Sequence, residues 1–136
     1  MARMARRTLL SRPDAPQLDA IVDEAALRRP VGGPEVMREQ LRELLRPRPN
    51  VTIRVVPFQA GVHPGLEGGF VLLDFPQDTS FPTEVYAESM AGDLYPESAD
   101  QIARISLAYE RIGQVALSPG GSATLIRQII EELSST

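Results

Sequence analysis

The tightest constraint on this chain is the run Ile21–Leu45, IVDEAALRRPVGGPEVMREQLRELL, where a Gly-Gly-Pro break separates a short apolar stretch from a patterned helix. Gly33 stands at the N-cap, Pro34 at the first helical position and Glu35 beside it. Proline's missing N–H costs nothing there, and a carboxylate suits the positive end of a helix. Met37, Leu41, Leu44 and Leu45 then recur at i, i+4, i+7 and i+8, which makes one buried face. Arg38, Glu39, Arg42, Glu43 and Arg46 fall outside it. Their opposite charges meet at i, i+3, as Glu35–Arg38, Glu39–Arg42 and Glu43–Arg46. Pro47 and Pro49 stop the helix. Leu18–Val22 before it and Val51–Val56 after it read as strands, and Ala25–Arg29 as a brief helical turn. In the second strand Val51, Ile53 and Val55 point one way and Thr52, Arg54 and Val56 the other. Strand, helix, strand in this order makes a βαβ unit with parallel strands.

The rest of the chain supplies partners for that unit. Residues 2–10 read as a short basic helix with Met4, Leu9 and Leu10 on its apolar side, ended by Pro13 and Pro16. Phe58–Gly69 is a glycine-rich loop. Phe70–Phe75 is almost wholly apolar, which predicts a strand buried on both faces. Pro76–Pro82 is a polar turn. Glu84–Glu88 alternates, with Val85 and Ala87 inward and Glu84, Tyr86 and Glu88 outward. Ala91-Gly92-Asp93 turns into a last short strand at Leu94-Tyr95. With no helix between them, these strands pair antiparallel. Ser98 caps a helix to about Leu117 with a stripe of Ile102, Ile105, Tyr109, Ile112 and Ala116. Ser118 and Pro119 start another, with Ser122 as an alternative cap and Leu125, Ile126, Ile129, Ile130 and Leu133 as its stripe. The fold class is therefore mixed α+β. About four strands form a sheet, partly parallel and partly antiparallel, with helices packed on it and two of them at the C-terminal end.

Length predicts one domain over the 136 residues, able to bury roughly two-thirds of the surface its unfolded chain exposes. There is no cysteine and no lysine, and His63 is the single histidine. That excludes disulfides, thiolate metal sites, cysteine nucleophiles, Schiff-base chemistry and a histidine-rich zinc site. The net charge of −4 is unevenly spread. Residues 1–57 hold eleven arginines against seven acids, whereas residues 58–100 hold eight acids and no arginine or lysine. An acidic balance argues against a broad nucleic-acid grip. Arg3, Arg6, Arg7 and Arg12 could make only weak, salt-sensitive DNA contact. No run reaches the ~20 apolar residues of a membrane span. The Arg6-Arg7-Thr8-Leu9-Leu10 start resembles an export signal but lacks the apolar region that must follow, so the expected compartment is the cytoplasm.

Few side chains combine into chemistry. Asp74, Glu84 and Glu88 on neighbouring strands, with His63, would make a small metal-dependent hydrolase if they gathered a divalent ion. As alternating strand residues, Glu84 and Glu88 read first as a solvent face, and a nuclease-like site would also want a lysine, which the chain lacks. The glycines around His63 lack the Lys-Ser/Thr of a phosphate loop. Asp23, Glu24, Arg28 and Arg29 flank the helical turn after the first strand. Glu24 and Arg28 are spaced for a local ion pair, which is the first reading of the group; the functional alternative is a polar recognition edge at the strand's end, beside the loop of His63.

A family resemblance gives these residues a context. Val22–Gly33 (VDEAALRRPVGG) and Val36–Leu41 (VMREQL), continued by Val55–Phe58, Ala60–Gly65, Phe70, Val85–Glu88 and Ala116–Pro119 with Ser122, Leu125 and Ile126, resemble the C-terminal domain of antitoxin-like helix-turn-helix transcriptional regulators of actinobacteria. The resemblance implies a non-enzymatic regulatory domain that takes no cofactor and binds a small protein encoded nearby, itself or a small ligand. Asp23, Glu24, Arg28, Arg29 and His63 are the expected contact residues. The chain departs from the family pattern in three ways. The helix-turn-helix is missing, so DNA binding would need that absent domain. The opening segment of the regulatory domain is missing too, which implies a truncation or fragment. Gly120-Gly121 stands where the family has acidic residues.

Overall fold

In the computed structural model, residues 16–64, 68–75, 80–88 and 92–134 are described. The expected basic helix at residues 2–10, with Arg3, Arg6, Arg7 and Arg12, lies outside them, as does most of the Pro76–Pro82 turn. The class is mixed α+β as the pattern predicts, with strands β1 (Leu18–Asp23), β2 (Val51–Val56), β3 (Phe70–Leu73) and β4 (Glu84–Ala87). The helices are α1 (Glu24–Arg28), α2 (Pro34–Leu44), α3 (Ala99–Val115) and α4 (Pro119–Ser134), with a 3₁₀ turn at Phe58–Ala60. The chain forms two compact units. One is built from residues up to Phe58 together with those from Ala116 on, the other from Gln59–Val115. The four strands pair two by two, so the expected parallel and antiparallel pairings form two separate two-stranded sheets.

In the first unit β1 and β2 are parallel, with Leu18 opposite Val51 and Asp23 opposite Val56. α2 starts where the Gly-Gly-Pro signal places it. Gly33 caps it at φ 94°, a backbone conformation that strains any side-chain-bearing residue, and Pro34 opens the first turn. Met37 and Leu41 are buried and join Leu27, Val55, Ile126 and Ile129 in one core, with Leu44, Leu45, Leu125, Ile130 and Leu133 packed around it. The stripes of α2 and α4 thus meet as their spacing requires. Arg38 donates to the Leu133 carbonyl in the last turn of α4, at 3.0 Å, and satisfies an acceptor the helix cannot.

The outer edge of β2 closes by other means. Leu18 N–H donates to Asn50 O, so strand geometry turns the main-chain groups of Val51, Ile53 and Val55 away from β1. Val55 is wholly buried and therefore needs partners. Its N–H donates to Ser122 Oγ at 2.8 Å, and its carbonyl accepts from Leu117 N–H at 2.8 Å. Neighbouring Arg54 donates to the Leu117 and Ala116 carbonyls at 2.9 and 3.1 Å. The cap of α4 is Ser118, which accepts from Gly121 N–H. Ser122 is therefore not the alternative cap that its position suggests. It lies one turn inside, fully buried, where its hydroxyl pairs a strand instead.

In the second unit β3 and β4 form an antiparallel hairpin, with Phe70 opposite Ala87 and Leu73 opposite Glu84. Ser98 caps α3 through Gln101 N–H, and Ile112 is its buried residue. Val85 points inward as alternation predicts. β3 does not. It is shorter than expected, and its residues alternate between half-buried and exposed rather than being covered on both faces, because a two-stranded sheet here has one packed side.

Ser122→Ala leaves the buried Val55 N–H without an acceptor. It should cost about 1–3 kcal/mol, read from the shift of the urea midpoint. Thr at the same position should recover part of the loss, since it restores the hydroxyl.

Candidate functional site

The polar edge at the end of β1 is built from its own turn. Asp23 is the N-cap of α1, its carboxylate accepting from Ala25 N–H at 3.0 Å. Glu24 follows at the first helical position and is buried. One of its oxygens accepts from Arg28 Nε at 2.6 Å, and the other accepts from Phe58 N–H at 2.9 Å. Arg28 also donates to Glu132 of α4, and its guanidinium lies 6.0 Å from the centre of the Phe58 ring. The bond to Glu132, then that to Glu24, holds the arginine above its ordinary pKa. These three side chains therefore form a clamp from β1 to the exit of β2 and to α4. The expected Glu24–Arg28 pair exists, and its reach to Phe58 and Glu132 could not be read from spacing. Arg29 ends α1 and is exposed.

A groove of about 480 Å³ opens elsewhere in the same unit, beneath the turn from α2 to β2. Leu45, Pro47, Val51, Ile53 and Ile126 are among its lining residues, together with Arg46 and Arg48. Both arginines are bonded to Glu43, at 3.3 and 2.6 Å.

In the second unit His63 is buried in the loop after the 3₁₀ turn. Asp74 is exposed and accepts from Thr83 Oγ1 at 2.6 Å, while Glu84 and Glu88 are exposed on β4 and just beyond it. Among the described residues, no group of three or more histidine, aspartate or glutamate side chains gathers closely enough to hold a metal ion. The hairpin's outer face is unusual in another way. Val71 and Leu73 are 47% and 48% exposed, and they stand opposite Tyr86 and Glu84. Tyr95 packs edge-on against Tyr86 with ring centres 5.4 Å apart, and is 68% exposed. The alternation of β4 announced Tyr86 as outward, but the apolar run of β3 concealed that Val71 and Leu73 join it.

The Tyr86 phenol bonds the Asp93 carboxylate, and this bond first, then desolvation, raises its pKa. The contribution is whole below tyrosine's ordinary value of about 10 and is lost as pH rises through the raised one. An ultraviolet alkaline titration should show Tyr86 ionising above its unperturbed value, and Asp93→Asn should bring it back down. For the clamp, Glu24→Ala removes the acceptor for Phe58 N–H. It should destabilise by about 2–3 kcal/mol, whereas Glu24→Gln, which keeps an acceptor, should cost less.

Among the described residues no helix is long and apolar enough to cross a membrane. Searches of curated proteins and of solved structures give no match. One family model does match, over residues 1–128. With the match covering nearly the whole sequence, this chain belongs to the family described as a domain of unknown function, DUF5753.

Proposed function

We propose that this chain is a non-enzymatic regulatory domain of a transcriptional regulator, acting by binding a small protein encoded beside it. The observation that carries the reading is the hairpin's outer face, where Val71, Leu73 and Tyr95 present apolar and aromatic surface to solvent. Exposed apolar surface of this kind is a mark of interaction sites. Of the four charged residues at the end of β1, Asp23, Glu24 and Arg28 bond within the fold and Arg29 is exposed. His63, being buried, serves its loop in this reading. The resemblance of VDEAALRRPVGG and VMREQL to antitoxin-like regulators supplies the regulatory context.

Co-expression with the small proteins encoded next to this gene, followed by size-exclusion chromatography, tests the proposal. A stable complex with one of them is expected. Elution of the chain alone in every case, or metal-dependent hydrolysis lost on Glu84→Gln, would count against it.

A further inference from the structure

We propose that the β3–β4 hairpin binds its partner by strand addition, taking an extended basic and apolar segment of another protein along the free edge of β3; this rests on the partner-binding reading above. Hydrogen bonding within the hairpin identifies the edge. Ala87 N–H and C=O both pair with Leu94, at 2.8 and 2.7 Å, and so face away from β3. Glu88 N–H donates to Gly69 O at 2.9 Å, so the groups of Gly69, Val71 and Leu73 face β4. Those of Phe70 and Leu72 consequently point to the other edge, with which no described strand pairs. β4 has its second neighbour in Leu94, and β3 has none among the described residues.

The free edge and the apolar face adjoin. A strand laid beside β3 would pair with Phe70 and Leu72 through its main chain. Its outward side chains would cover Val71 and Leu73, which neighbour that edge directly.

Charge selects the occupant. Glu84 on β4 and Glu88 just beyond it flank the face, and residues 58–100 contain eight acids and no arginine or lysine. Pairing one hairpin with the hairpin of a second copy would bring together two segments of the same net negative charge, which disfavours a symmetric dimer. Arginine or lysine spaced among apolar residues meets the same surface with complementary charge.

A random ten-residue peptide display library, selected against the purified chain, tests this without knowledge of the natural partner. The enriched peptides should be basic and rich in β-branched or aromatic residues, and they should shift the amide resonances of Phe70, Leu72 and Tyr86 in the isotope-labelled chain. Methylating alternate peptide nitrogens should weaken binding at least tenfold, as should Leu73→Glu, with unchanged circular dichroism for that variant. Glu84→Gln with Glu88→Gln should flatten the salt dependence. Enrichment of neutral or acidic peptides, a footprint elsewhere, no enrichment, or self-association through this face in sedimentation would each overturn the inference. If a co-expressed neighbour binds but its footprint avoids β3, strand addition fails and the partner-binding reading stands. If no neighbour binds, that reading fails on its own test.

Discussion

The first unit depends on how β2 satisfies its outer edge. A two-stranded parallel sheet leaves each strand with one unpaired side, and at Val55 that side is buried. The fold answers with a serine inside a helix and with the residues leading into it. Ser122 Oγ accepts from Val55 N–H, and Leu117 N–H returns a bond to Val55 O. Arg54 then gathers the carbonyls of Ala116 and Leu117. These bonds hold the first turn of α4 against β2, and the position of Ile126 and Ile129 over Leu41 and Val55 follows from there. An unsatisfied buried N–H costs about 1–3 kcal/mol. Serine's poorer helix propensity costs only a few tenths of that by rough comparison with alanine, so the exchange favours it.

The same economy explains the charged run at the end of β1. Asp23 and Glu24 sit at the start of a five-residue helix, where carboxylates are favoured. So short a helix cannot hold itself. Glu24 extends outward from it to Phe58 N–H and Arg28, and Arg28 extends further to Glu132. Their local spacing is that of a surface pair, which alone contributes little. Burial of Glu24 and the backbone bond to Phe58 are what make the arrangement structural.

What was legible in the sequence was local. The Gly33–Pro34 start, the caps at Ser98 and Ser118, and the stripes of α2 and α4 all act within a few residues of their own signal. Parallel pairing of β1 and β2 followed from the helix between them. What escaped was settled at long range. Ser122 carries the same side chain whether it caps a helix or pairs a strand 67 residues away, and only packing decides between the two. Glu24 and Glu132 share Arg28 across the chain in the same way. Asp23, Glu24, Arg28 and Arg29 stand out in the sequence as a group because they lie close together in it. The hairpin face does not, because an unbroken apolar run reads the same whether two sides are covered or one.

That ambiguity bears on what the hairpin is for. Val71 and Leu73 are strand formers on an exposed face, beside an edge that no described strand occupies. Edges of this kind invite pairing with any extended chain, and proteins usually blunt them with bulges, prolines or inward charges. β3 has none of these over Phe70–Leu73. The protection comes instead from Glu84 and Glu88 across the hairpin and from the absence of arginine and lysine in 58–100. Acidic surroundings repel a copy of the same surface and attract a basic segment, so they narrow the choice of occupant without closing the edge. A site needed only for folding would gain more from a charge on β3 itself. Leaving the strand apolar and placing the acids on its neighbour keeps both the main-chain groups and the apolar face available to a partner of the right sign.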